Sequence, residues 1–533
     1  MKKSSLSLAA VQELHQAGLL EEARSGYLAI LKKQPGDAET LHALGIIEAQ
    51  LGDFPAAIIY FEKALLIAPD EAVLYLNLGN AFKSTGQFSA AIETLQKAIK
   101  LNPDYSAALN NLGTVHYAQN NFAEAINYFH QALDIKPDYV DAYYNLGLAQ
   151  ARVNEIDKAI TTYEKVLQQA PAHAAAHFQL GRLLLAQEKL SEAESHFLLL
   201  EESYPHHFET QTNLGTCYLQ QGALGQAKIH YKKAMELAPD DTQVLFNLGV
   251  IYMQLGETDT AIQYYQRAIH HHPDHFDAHN NLGVAFLSKQ HAGYALQHFK
   301  EAQRLQPENA AIRYTVQMLA QDQRLLSSPP EYIKNLFDTY ADHYEIHLQQ
   351  ALDYKVPEEL FRAVSGVSKS KTASLAILDI GCGTGLCGVP FKPLAQILIG
   401  VDLSPNMLAV AKQKNIYDEL IESDIVSYLL TQENTFDIIL AGDVFVYVGD
   451  LQPLLAAAAN ALRPTGLLAF NTEISAQQDY SMNQSGRFSH EKKYLDNLAR
   501  ELGFQVVFYE NISTRQQNNT PVAGHLYVFQ KSA

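Results

Sequence analysis

Proline recurs at positions 35, 69, 103, 137, 171, 205, 239, 273 and 307, each 34 residues after the last. Alanine keeps the same interval from 23 to 295, and glycine joins it at 45, 79, 113, 147, 181, 215, 249 and 283. A period this strict over residues 4–309 restricts more than half the chain to stacked units, each burying its apolar face against the next. Small residues at fixed places let two helices of a unit approach closely, and proline ends the second helix before the next unit begins. Phe61, Phe129, Tyr163, Tyr231 and Phe299 are spaced to fill the groove between the helices. The first unit carries Val11 where the glycine belongs, and residues 310–326 are expected to form a final amphipathic helix covering the last unit.

The 34-residue pattern resembles the tetratricopeptide repeat, which implies nine helix pairs wound into a superhelix. Two residues before the glycines stand Asn77, Asn111, Asn145, Asn213, Asn247 and Asn281, with Gln179 at the remaining interior place. An amide both donates and accepts, so such a row suits an extended peptide lying along the inner surface. It resembles the asparagine ladder of O-linked N-acetylglucosamine transferases; hydrogen bonding between helices is the competing use. His270, His271, His272, His275 and His279 straddle Pro273 rather than share a helix face, so a solvated turn is expected there and no metal.

Ser327, Ser328, Pro329 and Pro330 break the helical pattern and set the expected boundary between a repeat domain, residues 1–326, and a second domain, residues 327–533. Within the second, residues 375–388 read LAILDIGCGTGLCG. An apolar run meets Asp379 and then Gly381, Gly383 and Gly385, as in a buried strand breaking into a tight turn that opens a helix. Glycine lets a ligand lie on the backbone, and a helix N-terminus offers free N–H groups. Residues 397–401 form a second apolar strand ending in Asp402, an acid placed to take two ribose hydroxyls. A dinucleotide fingerprint needs G-x-G-x-x-G, and its third position here is Leu386, which disfavours a nicotinamide or flavin dinucleotide.

Asp379, Gly381, Gly383 and Gly385 match the D-x-G-x-G-x-G motif, and residues 402–411 (DLSPNMLAVA) resemble the following motif, of class I S-adenosylmethionine-dependent methyltransferases. That resemblance implies a Rossmann-like α/β domain with a seven-stranded, mostly parallel sheet whose last strand is antiparallel. It implies S-adenosylmethionine as cofactor, bound by Asp379, Gly381, Cys382, Gly383, Gly385, Asp402, Leu403, Met407, Asp424, Ile425 and Asp443. Asp424 would meet the adenine amino group, with Ile425 on the ring. A preceding F-x-x-Y-A-x-x-Y segment, Phe337 to Tyr344, resembles the family's lid helix, from which Tyr340 or Tyr344 would reach the methionine carboxylate. Pro390 and Pro393 should shorten or bend the first helix. Residues 442–450 (GDVFVYVGD) lack the proline pair of amino-methylating enzymes, and no Pro-Cys suggests a cytosine C5 nucleophile. Candidate catalytic groups are Asp443, Tyr447 and His490, the last in a loop (residues 473–490) expected to build the acceptor pocket. The bland reading of His490 puts it in the first turn of a helix capped by Ser489. Arg487 could hold an acidic group. Runs at residues 337–341, 443–451, 486–490 and 521–524 also resemble predicted methyltransferases that carry tetratricopeptide repeats.

A net charge of −19 argues against a nucleic-acid partner. Three cysteines without CxxC spacing suggest neither a disulfide framework nor zinc, and no apolar run reaches membrane-spanning length, so the cytoplasm is the expected compartment. The function expected is methyl transfer to a protein or peptide held by the repeats. The rival readings are a small-molecule biosynthetic methyltransferase whose repeats dock a partner, and a cofactor-sensing scaffold without transfer. Neither the oligomeric state nor the acceptor is legible in the sequence.

Overall fold

The computed structural model describes residues 7–320, 326–341, 344–345, 348, 354–368, 374–477, 479–483, 486–517 and 520–533. The chain divides into two compact units, Met1–Leu255 and Gly256–Ala533.

The first unit is built of helix pairs such as Ala38–Gln50 with Phe54–Ile67 and Ser106–Ala118 with Phe122–Ile135. Helix Phe54–Ile67 stops two residues short of Pro69, as a ring without an N–H requires. The periodic glycines face the periodic aromatics. A Cβ at Gly113 would lie 2.6 Å from the Phe129 ring, and one at Gly147 would lie 2.7 Å from Tyr163. Those rings are buried, so glycine here is a packing requirement rather than a flexible joint. The first pair reverses the arrangement: Val11 fills the space, and Gly26 on the facing helix makes room, where a Cβ would lie 2.6 Å from a Val11 methyl.

The second unit opens with helix Thr258–His271 and the helix pair Phe276–Ser288 with Ala292–Leu305. Helix Ala310–Leu319 then covers the last of them, placing Ile312 and Val316 against Ala295, Phe299 and Ala302. The α/β part follows, with strands β1 (Leu375–Ile380), β2 (Ala395–Asp402), β3 (Glu419–Glu422), β4 (Phe436–Ala441), β5 (Leu462–Ile474), β6 (Tyr480–Met482), β7 (Phe488–His490), β8 (Phe504–Gln517) and β9 (Thr520–Lys531). The main sheet runs β3-β2-β1-β4-β5-β9-β8, with β1 to β5 parallel and β9 antiparallel to both neighbours. This is the expected doubly wound layout, with one apolar cluster including Leu378, Ile439 and Phe470 and a second including Ile377, Ile438 and Leu526.

Two details depart from expectation, and a third meets it. The stretch after the fifth strand is not a plain loop. β6 and β7 pair as an antiparallel hairpin, and β7 adds in parallel to the end of β5, giving nine strands among the described residues. Ser489 and His490 therefore belong to β7, and the next helix, Lys492–Glu501, is entered from Glu491 instead of a Ser489 cap. The helix after the glycine loop is only Gly388–Phe391, followed by a 3-10 turn at Lys392–Leu394, as its two prolines demand. Among the described residues no helix is long and apolar enough to cross a membrane.

Candidate functional site

The site lies at the carboxyl edge of the parallel strands, where open α/β sheets leave a crevice. β1 ends at Ile380, and Gly381, Gly383 and Gly385 take φ of +62°, +53° and +90°. A Cβ at Gly381 would lie 2.5 Å from Val444, and one at Gly385 would lie 2.8 Å from Tyr417; at Gly383 the space is open. The Gly383 N–H donates to Asp402 Oδ2 at 2.8 Å, and the Ser404 N–H donates to Oδ1 at 2.9 Å, so loop and acid hold each other. Burial raises the Asp402 carboxyl above its usual value, against the pull of those N–H groups.

Beneath the loop lies Asp379, whose Oδ2 accepts from the Tyr417 hydroxyl at 2.6 Å. Burial pushes this carboxyl up to about 7. Its Oδ1 and the Thr384 Oγ1 are buried without a hydrogen-bond partner among the described residues. Orphaned polar atoms around a backbone cradle suit a ligand with polar groups of its own, since such atoms are costly to bury unmet.

A cavity of about 390 Å³ opens over the loop. Gly381, Gly383, Asp402, Leu403, Met407, Asp424, Ile425, Asp443, Tyr344 and Tyr447 all line it. Asp379, Cys382, Gly385 and His490 do not; Cys382 is buried, and Gly385 packs on Tyr417. The side chain of Tyr340 lies outside the described residues. Asp424 also caps helix Ile425–Leu429, one oxygen accepting from Ser427 N–H at 2.8 Å.

The cover comes from helix Pro330–Tyr340, which contributes Ile333 and Phe337 to the cavity wall. Asp338 fastens it: Oδ1 accepts from the Ser404 hydroxyl at 2.5 Å, and the Asp338 carbonyl accepts from Asn406 at 3.1 Å. Ser404 in turn caps helix Pro405–Gln413 through Met407 N–H. A salt bridge of 2.6 Å joins Lys334 to Glu422 at the end of β3. The Phe337 ring meets Tyr344 and Tyr447 edge-on at 5.9 and 5.6 Å. Leu326, Ser327 and Ser328 complete the wall: Leu326 carbonyl accepts from Gly449 and Asp450 N–H, both at 2.8 Å, and Ser328 N–H donates to Tyr447 carbonyl at 2.9 Å.

Asp443 has φ +61°, and its N–H donates to Asn471 Oδ1 at 2.7 Å. Burial works to raise its carboxyl, but Arg487, which donates to Oδ2 at 2.9 Å, and Asn471 together hold it below the ordinary value. Arg487 also donates to Glu473 at 2.7 Å and to the Tyr447 hydroxyl at 3.2 Å, while Arg515 reaches Glu473 at 3.1 Å. The acidic group expected for Arg487 is thus supplied by the protein itself. His490 is fully buried: Nδ1 lies 2.5 Å from Thr472 Oγ1, and Nε2 donates to the carbonyls of Val448 and Gly449 at 2.9 and 3.1 Å. Burial pushes this imidazole down to about 4. Both nitrogens are occupied, Nε2 in holding the backbone behind the cavity wall and Nδ1 on the Thr472 hydroxyl.

The ladder amides are half-buried, and several use their donor side within the repeats. Asn77 donates to His42 at 2.7 Å, Asn145 to Asn110 at 3.0 Å and Asn247 to the Tyr231 hydroxyl at 2.8 Å. Among the described residues no group of three or more His, Cys, Asp or Glu could hold a metal ion.

Sequence reading missed Tyr417, Asp338, residues 326–328 and Tyr314. Tyr417 has no motif around it, Asp338 stands within the lid segment where only the aromatic positions were given a role, and the others sit in the segment taken only as cap and linker.

Helix pairs of this period joined to this sheet and cavity define a repeat protein with an α/β methyltransferase domain. Residues 378–470 match the family model of a methyltransferase domain. Residues 76–140, 144–207, 246–310, 37–104, 207–270 and 116–165 match tetratricopeptide repeat models. The chain thus combines tetratricopeptide repeats with a methyltransferase domain. It is 39% identical over 105 residues to a ubiquinone biosynthesis O-methyltransferase of Nitrobacter winogradskyi, covering 19% of this chain and 39% of that protein. To a malonyl-[acyl-carrier protein] O-methyltransferase of Bacillus cytotoxicus it is 36% identical over 108 residues, 19% of this chain and 37% of that one. The chain spans about two fifths of the length of these relatives. A solved structure of YrrB, described as a TPR protein with an unusual peptide-binding site, aligns at 24% identity and TM-score 0.32 over 35% of this chain and 96% of that one.

Proposed function

We propose that this chain transfers a methyl group from S-adenosylmethionine to an acceptor in a protein or peptide held by the repeats. The observation that carries this reading is the meeting of Gly381, Gly383, Asp402, Asp424 and Asp443 around one covered cavity. S-adenosylmethionine would supply an activated methyl on a sulfonium. Asp402 would take the ribose hydroxyls, Asp424 and Ile425 the adenine, and the open backbone at Gly383 the amino-acid portion. The open space over Gly383, where a Cβ would meet nothing, fits a ligand lying on this loop.

Methyl transfer is an in-line displacement, so alignment and exclusion of water matter most. Phe337, Tyr344 and Tyr447 supply the apolar, drying wall. Asp443 is held ionised by Arg487 and is a poor proton acceptor, and His490 is spent on backbone carbonyls. Tyr447 and Asp443 therefore act by orienting the acceptor, and the reading assigns no dedicated base.

The test uses methyl-labelled S-adenosylmethionine, the full-length protein and a lysate lacking it, with products separated into macromolecular and small-molecule fractions. Label is expected in a protein band and should fade when Asn111, Asn145 and Asn247 are together replaced by alanine. Label in the small-molecule fraction, untouched by those changes, moves the conclusion to small-molecule biosynthetic methylation, the reading that the name of the ubiquinone biosynthesis relative favours. Asp402→Ala removes an acid that would bind two hydroxyls, worth about 3 kcal/mol, so cofactor affinity should fall about 100-fold by calorimetry. Unchanged affinity would sink the site assignment.

A further inference from the structure

The last helix of the repeat side does more than close the stack. Tyr314, on helix Ala310–Leu319, is 1% exposed, and its hydroxyl lies 3.1 Å from Gly486 carbonyl and 2.8 Å from Ser328 Oγ. A carbonyl only accepts, so Tyr314 donates to Gly486, and Ser328 then donates to Tyr314. One hydroxyl thereby ties together two segments far apart in sequence. Gly486 suits the role because it takes φ +78° and because a Cβ there would lie 2.7 Å from Met318 Sδ on the same helix. The Tyr314 ring also packs on Tyr332 of the cover helix, 4.7 Å between centroids.

Both tied segments lead to the cavity. Gly486 precedes Arg487, whose guanidinium fixes Asp443 and the Tyr447 hydroxyl. Ser328 lines the cavity and bonds to the Tyr447 backbone, beside the antiparallel bridge between Ser327 and Val448. We propose that Tyr314 is a positioning residue for methyl transfer, its hydroxyl setting the Gly486–Arg487 turn and Ser328 so that Asp443 and Tyr447 face the acceptor correctly. The inference rests on the methyltransferase reading and adds that the repeat side supplies part of the site's scaffold. A helix that merely buried apolar surface would need the ring of Tyr314 but not its oxygen.

Tyr314→Phe in the full-length chain removes only that oxygen. Hydrogen–deuterium exchange should quicken in the peptides spanning 444–450 and 486–490 and stay unchanged at β2. Label transfer at saturating S-adenosylmethionine should fall about five- to tenfold, the effect of a lost buried hydrogen bond, while calorimetric affinity for S-adenosylmethionine stays within about twofold. Ser328→Ala combined with Tyr314→Phe should cost no more than Tyr314→Phe alone, because both act through one bond chain. Unchanged exchange overturns the proposal, as does quickened exchange with undiminished transfer. If the wild-type protein transfers no label, the methyltransferase reading fails by itself, and the exchange comparison still decides whether Tyr314 sets the turn.

Discussion

Asp379 and His490 give the α/β domain opposed responses to pH. Asp379 in the folded chain titrates at about 7, above the ordinary carboxylate value near 4. Between those values the folded chain keeps a proton that the unfolded chain has lost, so stability drains away as pH rises through about 7. His490 titrates at about 4, below the ordinary imidazole value near 6.5. Its contribution is present above pH 6.5 and is lost as pH falls toward about 4. The two slopes oppose each other over most of the acid range. Asp379→Asn keeps an acceptor for Tyr417 and should leave only the acid-side loss; His490→Gln should leave only the decline above pH 4. Thermal midpoints of the full chain from pH 4 to 8 would show the two slopes separately. Parallel curves for all three proteins would contradict the assignment.

At the scale of elements, two packings carry clear expectations. In the first helix pair, Gly26 exists to make room for Val11, so Gly26→Ala forces overpacking worth about 1–3 kcal/mol. Val11→Ala in the same chain should recover most of that loss, which a double-mutant cycle in urea would report as a favourable coupling. Simple additivity would mean that the two helices adjust independently. The cover helix depends on Asp338 for its hold on Ser404 and Asn406. Asp338→Ala removes a charged acceptor worth about 1.5–3 kcal/mol. Calorimetry should show cofactor affinity lower by about tenfold, with a faster off-rate from the uncovered cavity. A variant that binds like the wild type would free the helix of any covering role.

Across the whole molecule, the repeat pattern and the compact units divide the chain at different places. The change from helix pairs to α/β structure falls after Leu319, but the compact unit that holds the methyltransferase domain begins at Gly256. A fragment from Gly256 to Ala533 keeps Tyr314 and Leu326 with their partners. A fragment of residues 327–533 loses both and uncovers the apolar side of Tyr332. The longer fragment should unfold cooperatively in a calorimeter, and the shorter one should melt several degrees lower and bind a hydrophobic dye. Equal melting temperatures would support residue 326 as the functional boundary.

The helix pairs, the doubly wound sheet and the loop with Asp402 were legible in the sequence because each is a local, repeating demand of the backbone. A glycine every 34 residues marks a close contact within one hairpin, and an apolar run ending in an acid marks a strand reaching its open edge. Partners across long separations left no such mark. Tyr417 meets Asp379 across 38 residues, Arg487 meets Asp443 across 44, and Tyr314 meets Gly486 across 172. Each pairing arises because a polar group is buried by the fold and must find whatever lies beside it. The same demand turned His490 from an expected helix-start residue into a strand residue with both nitrogens occupied. Sequence alone determined the helix pairs, the doubly wound sheet and the glycine loop beside Asp402. Only the tertiary structure decided which charges neutralise each other and which hydroxyl holds the site in place, since burial is a property of the assembled chain.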